Sequence, residues 1–347
     1  MKYSKVIIES LGYELAPVVV TSTELEGRLE PLYRDLRIAR GQLQALTGIR
    51  ERRWWEPGYP LSQGAIAAGR KALDAAGISP REIGALVYTG VCREQFEPAT
   101  ACRVAAGLGI GGDTAVFDIS NACLGVLNGI LDLANRIELG QIKAGLVVSC
   151  ESAREINDIM IARMLEERRM EHFASSLATL TGGSGAVAVL LTDGSFSGAD
   201  RRRLLGGITQ AAPEHHTLCL WGITTDGNGS YKQTMATDGV NVMNYGVALG
   251  RRTWDAFLPQ MGWRADQVDR VICHQVGSAH QTAILKTLGV SAEKDFTTFE
   301  FLGNMGTVSL PLTAAIAAER EMLEPGDRVA FLGIGSGLNC LMLGVSW

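Results

Sequence analysis

The 347-residue chain contains no pair of cysteines spaced C-x-x-C, and its seven cysteines (Cys92, Cys102, Cys123, Cys150, Cys219, Cys273, Cys340) are odd in number and scattered. That pattern argues against a zinc ribbon and against a disulfide framework, so reduced thiols are expected. Long apolar runs are missing as well. Near the N-terminus only Val6-Ile7-Ile8 precedes Glu9, too short for a signal-peptide core, and no later stretch reaches membrane-spanning length. The expectation is a soluble, cytoplasmic protein. Positive charge is scarce: 32 Lys and Arg against 37 Asp and Glu leave a net charge of −5. Nucleic acid is therefore not expected as a partner. The strongest basic cluster, Arg201-Arg202-Arg203, reads as a solvated loop, with a phosphate-bearing ligand or carrier as its alternative. There is neither a P-loop lysine nor a dinucleotide fingerprint, and the glycine-rich Thr181-Gly182-Gly183-Ser184-Gly185-Ala186 reads as close backbone packing. His215 and His216 stand beside Glu214, but adjacent histidines point in different directions and no further ligands have suitable spacing. No metal and no cofactor are expected.

What is present is an ordinary globular composition, 46% hydrophobic with 20% charged residues, and an order of events that occurs twice. In the first half, strand-like runs at Ile83–Gly90 and Ala115–Ile119 are followed by a third at Ala144–Ser149. In the second half, Val268–His274, Phe296–Phe301 and Arg328–Gly333 occupy the same places. The steps from Ile83 to Phe117 to Gly145 are 34 and 28 residues; those from Val268 to Phe299 to Val329 are 31 and 30. Helix-period segments fall at Gly64–Ala76, Leu124–Leu139, Gly246–Met261 and Leu312–Leu323. The reading is an α/β chain of two duplicated βαβ-rich halves, 1–200 and 201–347, each with a largely parallel sheet. A helical segment is inserted at about 152–180. Open α/β sheets bind ligands at their βα junctions, so equivalent junctions of the two halves should converge on one site.

Cys123 lies at such a junction, where Phe117-Asp118-Ile119 gives way to small residues and then to a helical pattern. A helix start presents unpaired amides and positive potential, which predicts a lowered thiol pKa. His274 ends a strand in the second half, and Asn304 lies in the glycine-flanked turn Gly303-Asn304-Met305-Gly306. A thiol, an imidazole and an amide donor form the set that acyl transfer through a thioester requires: a polarisable nucleophile, a base, and donors for the oxyanion. Trp54-Trp55 is read as a packing pair, with stacking on a ligand as the alternative.

These landmarks resemble a known family. Asn121-Ala122-Cys123, Ile272-Cys273-His274-Gln275-Val276, Gly303-Asn304-Met305-Gly306 with Pro311, and Gly333-Ile334-Gly335-Ser336-Gly337-Leu338-Asn339-Cys340 are similar to those of thiolase-fold condensing enzymes of the β-ketoacyl-ACP synthase III group. Within it the pattern most resembles the olefin-biosynthesis (OleA) branch. The resemblance implies a layered αβαβα fold, a homodimer, no cofactor, and acyl-CoA or acyl carrier protein as partner. It also implies a catalytic set of Cys123, His274 and Asn304, with the backbone amides of Cys123 and Ser336 as oxyanion hole. Thr47-Gly48-Ile49-Arg50-Glu51-Arg52 is present, but Leu32–Ile38 replaces the tryptophan-bearing segment that stacks on CoA in ordinary synthases III. Glu97, 26 positions before Cys123, reads on its own as an exposed loop carboxylate before a proline. The resemblance places there a base that reaches into the partner subunit's site. A base has a use: without malonate decarboxylation, the α-carbon of a plain acyl thioester must lose a proton to something. Three activities follow as expectations: head-to-head condensation of two acyl-CoAs, decarboxylative condensation with malonyl-ACP, or net thioester hydrolysis. A catalytically idle dimer partner is the rival of another class.

Overall fold

The computed structural model describes residues 1–196, 202–225 and 229–347. Among the described residues nine strands form one sheet. They are β1 (Ile7–Leu15), β2 (Ala85–Thr89), β3 (Ala115–Ile119), β4 (Ala144–Glu151), β5 (Gly185–Thr192), β6 (Arg202–Ala211), β7 (Arg270–Cys273), β8 (Arg328–Gly335) and β9 (Asn339–Ser346), in spatial order β7-β8-β9-β6-β1-β5-β4-β2-β3. The order itself carries the duplication. From the outside inwards, β2-β4-β5-β1 in one half answers β7-β8-β9-β6 in the other, and the halves meet in a two-residue antiparallel register, Ile7 with Arg203 and Ile8 with Arg202.

Five layers result, because side chains along a strand alternate between faces. Leu86, Leu146, Val148 and Leu190 pack outward on α1 (Leu61–Ala76) and α2 (Thr100–Leu108). Val87, Val147 and Val189 face inward, onto α3 (Gly125–Glu138). Helices α4 (Arg154–Glu167) and α5 (Met170–Leu180) connect β4 to β5. In the second half, Ala330, Leu332 and Met342 pack on α6 (Gly239–Met261) and α7 (Ser278–Leu288), while Phe331, Leu341 and Leu343 turn inward to α8 (Ser309–Glu319). The central pair α3 and α8 is thus covered on both sides, and α8 is buried from Ser309 to Ala317. A helix apolar all round belongs in such a middle layer.

Three expectations need correction or fall outside the description. The sheet is mixed rather than largely parallel. Only β2, β3 and β4, and β7 with β8, run parallel; β5, β1, β6 and β9 pair antiparallel. Helical crossovers give the parallel pairs, whereas the short turn from β8 to β9 forces reversal. Second, Phe296–Phe301 is not a strand. Asp295 makes one parallel bridge to Val271, in the place that β3 takes beside β2, and then the chain leaves the sheet. The Gln275 side-chain carbonyl accepts from the backbone of Thr298 (2.9 Å) and Phe299 (3.2 Å), and Phe299–Leu302 becomes a short helix. Third, the division at residues 200 and 201, like Arg201 of the basic cluster, lies outside the described residues. Of that cluster, Arg202 and Arg203 are not in a solvated loop but open β6: Arg202 stacks over the Trp347 ring just past β9, and Arg203 donates to Ser4 O (3.0 Å) just before β1. Among the described residues no helix is long and apolar enough to cross a membrane.

Candidate active site

Strand β3 ends at Ile119, and the chain then makes a single 3-10 turn, Ala122–Leu124, before α3 begins at Gly125. Ala122 takes a left-handed φ of 44°, a conformation that costs a residue with a Cβ on the order of 1 kcal/mol. The surroundings hold it there. Asn121 donates to Asn128 Oδ1 (2.7 Å) and accepts from Asn339 Nδ2 (3.2 Å). A Cβ on Gly335 would lie 3.4 Å from Cys123 N, so the end of β8, and with it Ser336, runs directly against the amide of the cysteine.

Cys123, Ser336, His274 and Asn304 line one cavity of about 430 Å³. Asn304 is fixed on both sides: its N–H donates to Thr181 O and its carbonyl accepts from Gly183, each at 2.9 Å. Its side-chain oxygen accepts from Gly306 N (3.0 Å), which leaves the NH2 group as the end available for donation. His274 hangs from the end of β7, its backbone N–H on Leu332 O, and its buried Nδ1 has no protein partner. The rest of the wall is mostly apolar. Met243, Gly246, Val247 and Gly250 of α6, with Ile284, Leu338 and Met342, form one side; Ile156, Trp221 and Met235 lie on another.

The electrostatics differ from the sequence expectation. Cys123 does stand at a helix start, yet burial pushes its thiol up to about 12, with Cys219 and Glu151 adding negative potential. Desolvation of the thiolate outweighs the helix end. Burial, and after it the neighbouring His280, pushes His274 down to about 4. At neutral pH the pair is therefore an uncharged thiol and an uncharged imidazole, not a preformed ion pair. Alkylation of Cys123 by iodoacetamide should accordingly speed up roughly tenfold per pH unit from about pH 7 to about pH 9; a rate independent of pH over that range would show a standing thiolate.

Glu97 does not line this chain's cavity. It is exposed, in the loop before α2, next to Phe96, which is 91% exposed. That loop is tied to the sheet edge: the amides of Thr100 and Ala101, just after it, donate to the Asp118 carboxylate on β3 (3.0 and 2.9 Å). Trp54 and Trp55 are packing residues, at 2% and 4% exposure, and their indoles donate to Gly182 O and Glu151 O. His215 stacks on Tyr245, and among the described residues no cluster of His, Cys, Asp or Glu is arranged to hold a metal.

Two cavity residues escaped the sequence reading, His280 and Glu151. Glu151 was signalled by its place, an acid closing the buried strand Ala144–Cys150 at the carboxyl end where α/β sheets put their sites. His280 follows His274 by six residues and lies in the first turn of α7, where only a helix assignment would have turned it inward.

Two half-sheets around a buried helix pair, with a cysteine-bearing helix start opposite a strand-end histidine and a turn asparagine, define a thiolase-fold condensing enzyme. Residues 258–347 match the 3-oxoacyl-(acyl-carrier-protein (ACP)) synthase III C-terminal family. Over its whole length the chain is 61% identical to an acyl-CoA:acyl-CoA alkyltransferase of Shewanella oneidensis, all of which it covers. Crystal structures agree. Xanthomonas campestris OleA with bound lauric acid and lauroyl-CoA superposes with a TM-score of 0.93 at 36% identity, over 99% of this chain and 100% of that one. A 3-oxoacyl-(acyl carrier protein) synthase III from Xanthomonas oryzae pv. oryzae gives 0.93 at 38% identity, over 100% of both. The chain belongs to the acyl-CoA:acyl-CoA alkyltransferase (OleA) family, within the synthase III group.

Proposed function

We propose that this protein joins two acyl-CoA molecules head to head through a Cys123 thioester. One observation carries the reading: a single apolar-walled cavity presents Cys123, His274, Asn304 and Ser336 together, in a chain 61% identical to an acyl-CoA:acyl-CoA alkyltransferase. In the first half-reaction His274 takes the thiol proton as Cys123 Sγ attacks the acyl carbonyl. The amides of Cys123 and Ser336 receive the oxyanion, and CoA departs with the proton as free thiol. In the second, the carbonyl of another acyl-CoA accepts hydrogen bonds from His274 and Asn304, which acidify its α-carbon. Glu97 of the partner subunit removes the α-proton. The enolate carbon attacks the acyl-cysteine, the carbon-sulfur bond breaks, and the departing Cys123 thiolate recovers the proton that Glu97 removed, giving the free thiol and a 2-alkyl-3-oxoacyl-CoA. The reaction balances without metal or redox cofactor, and none is assigned.

The homodimer that this scheme needs is supported by β3. It is an edge strand whose five residues are all half-buried, an open row of backbone donors and acceptors of the kind that pairs with a second copy. Because the Asp118 contacts hold the Glu97 loop beside that edge, pairing two β3 strands would carry each Glu97 across the interface. Reduced thiols and acyl-CoA substrates are in keeping with a cytoplasmic location.

Incubation with acyl-CoA alone should yield free CoA and a product containing two acyl groups, with no CO2. Product formed only after malonyl-ACP is added, with CO2 release, would instead make the chain a decarboxylative synthase. Free fatty acid as the sole product would make it a hydrolase, and absence of a Cys123 adduct across chain lengths would leave it an idle subunit. Glu97→Gln should preserve the acyl adduct and slow condensation by about 10²–10⁴-fold, the range for a lost general base; unchanged condensation would remove Glu97 from the scheme.

A further inference from the structure

Glu151 is the one acid lining the cavity among the described residues, it is only 4% exposed, and the scheme above gives it no role. A buried carboxylate is retained at a cost unless hydrogen bonds compensate it. Here they come from the loop that follows β2, and a second loop packs against the same carboxylate. Oε1 accepts from Val91 N (3.0 Å) and Oε2 from Cys92 N (3.1 Å), at the root of the loop that ends in Glu97. The carboxylate also packs against the turn that carries Asn304, where a Cβ on Gly306 would lie 3.3 Å from Oε1. Thr307 Oγ1 in turn accepts from Val126 N (2.7 Å) at the start of the Cys123 helix, while Gly306 N holds the Asn304 side chain. Glu151 itself is anchored, since Trp55 Nε1 donates to its carbonyl (3.1 Å).

One carboxylate therefore joins the root of the Glu97 loop to the turn that carries Asn304, while Thr307 passes the contact on to α3. We infer that Glu151 is a positioning residue for the second half-reaction, setting the Glu97 loop and the Asn304 amide relative to Cys123 so that deprotonation and carbon-carbon bond formation occur in register. The inference rests on the two-step thioester reading. It does not require Glu151 to touch substrate, and it separates the half-reactions: attack by Cys123 uses His274 and two backbone amides that Glu151 does not hold, and the negative potential that Glu151 places on the Cys123 thiol is kept in Glu151→Asp.

The test follows Glu151→Gln and Glu151→Asp beside wild type. Acylation is read as the acyl-CoA-dependent mass increment on Cys123 in a single turnover, and condensation as product formed from the acylated enzyme. Glutamine puts an NH2 group against backbone N–H donors. Aspartate keeps the charge but falls short of the two loops. Glu151→Asp should acylate within about threefold of wild type and Glu151→Gln no more slowly than that, since loss of the charge eases ionisation of the Cys123 thiol; both should condense roughly ten- to a hundredfold more slowly, the scale of one or two lost bonds to a charged group. Equal losses in both half-reactions would reduce Glu151 to a support of the fold, and no loss in either would remove it altogether. If Glu151→Gln does not fold, the same split is read from Glu151→Asp. Failure of wild type itself to form the adduct would count against the thioester reading and is distinguishable from all of these.

Discussion

Cys123→Ala is expected to abolish the acyl adduct and to lower condensation by about 10⁴-fold or more, the scale on which covalent catalysis disappears with its nucleophile. The fold should survive, because the turn around Cys123 is held by neighbours. Asn121 is tied to Asn128 and Asn339, and Gly335 packs against the backbone at position 123 rather than against the sulfur. Binding of acyl-CoA should therefore persist while chemistry stops. Peptide mapping gives the result its edge. Cys219 lines the same cavity and lies close enough to raise the Cys123 thiol pKa, but it sits at the start of a surface hairpin strand, with its sulfur 3.4 Å from Thr237 Oγ1 and no helix start behind it. An acyl group found on Cys219 in the variant, at a rate matching wild type, would move the nucleophile there. The neutral resting pair adds a second mark. Acylation of Cys123 in wild type should hold its acid limb down to about pH 4, where His274 takes a proton and can no longer accept one from the thiol.

The same histidine links the site to stability. Its folded pKa, about 4, lies below the unfolded value near 6.5, so between these limits the unfolded chain binds more protons and stability falls as pH drops. Asp295 works in the opposite sense. Burial raises its carboxyl to about 6, so the folded chain binds the extra proton and the two groups partly offset each other across the same window.

How much of this was legible depended on the range of the interaction involved. The Cys123 junction was readable because it is local: a strand, small residues, then a helical period, in the order that the structure places as β3, a single turn and α3. The duplication was readable from spacing, which survives as the matched strand order of the two half-sheets. The Phe296–Phe301 segment has a strand's composition, and what diverts it is a side chain more than twenty residues earlier, the buried Gln275 amide. No local pattern contains that contact. The thiol pKa was misjudged for a related reason. The helix start is a local feature, whereas the desolvation that overrides it is supplied by both halves of the chain closing over one cavity. Glu151 lay in plain view as a strand-ending acid, but its partners Val91 and Cys92 reach it only once β2 pairs with β4, and the turn at Gly306 packs on it only when the second half of the chain closes over the first.

Gly183→Ala should show the reverse coupling, from backbone packing to chemistry. A Cβ there would collide with Leu302 O and lie 3.2 Å from Leu302 C, both backbone atoms that no side-chain rotation can clear. The chain must move, and the segment that moves is the one carrying Asn304, whose carbonyl accepts from Gly183 N and whose N–H donates to Thr181 O. Overpacking of this kind costs on the order of 1–3 kcal/mol, so the thermal midpoint should fall by several degrees while the protein remains folded at room temperature. A displacement of about 1 Å in a positioning group costs about a hundredfold in rate, and under the proposed scheme, in which Asn304 serves condensation and not acylation, the loss should fall on condensation more than on acylation of Cys123. Ser184→Ala in the same turn is the control. Ser184 Oγ accepts from Ala153 N, away from Asn304, so this change should lower stability without separating the two half-reactions. If Gly183→Ala slows both steps alike, Asn304 is not specific to the second thioester, and the division of labour between His274 with the backbone amides and His274 with Asn304 is wrong.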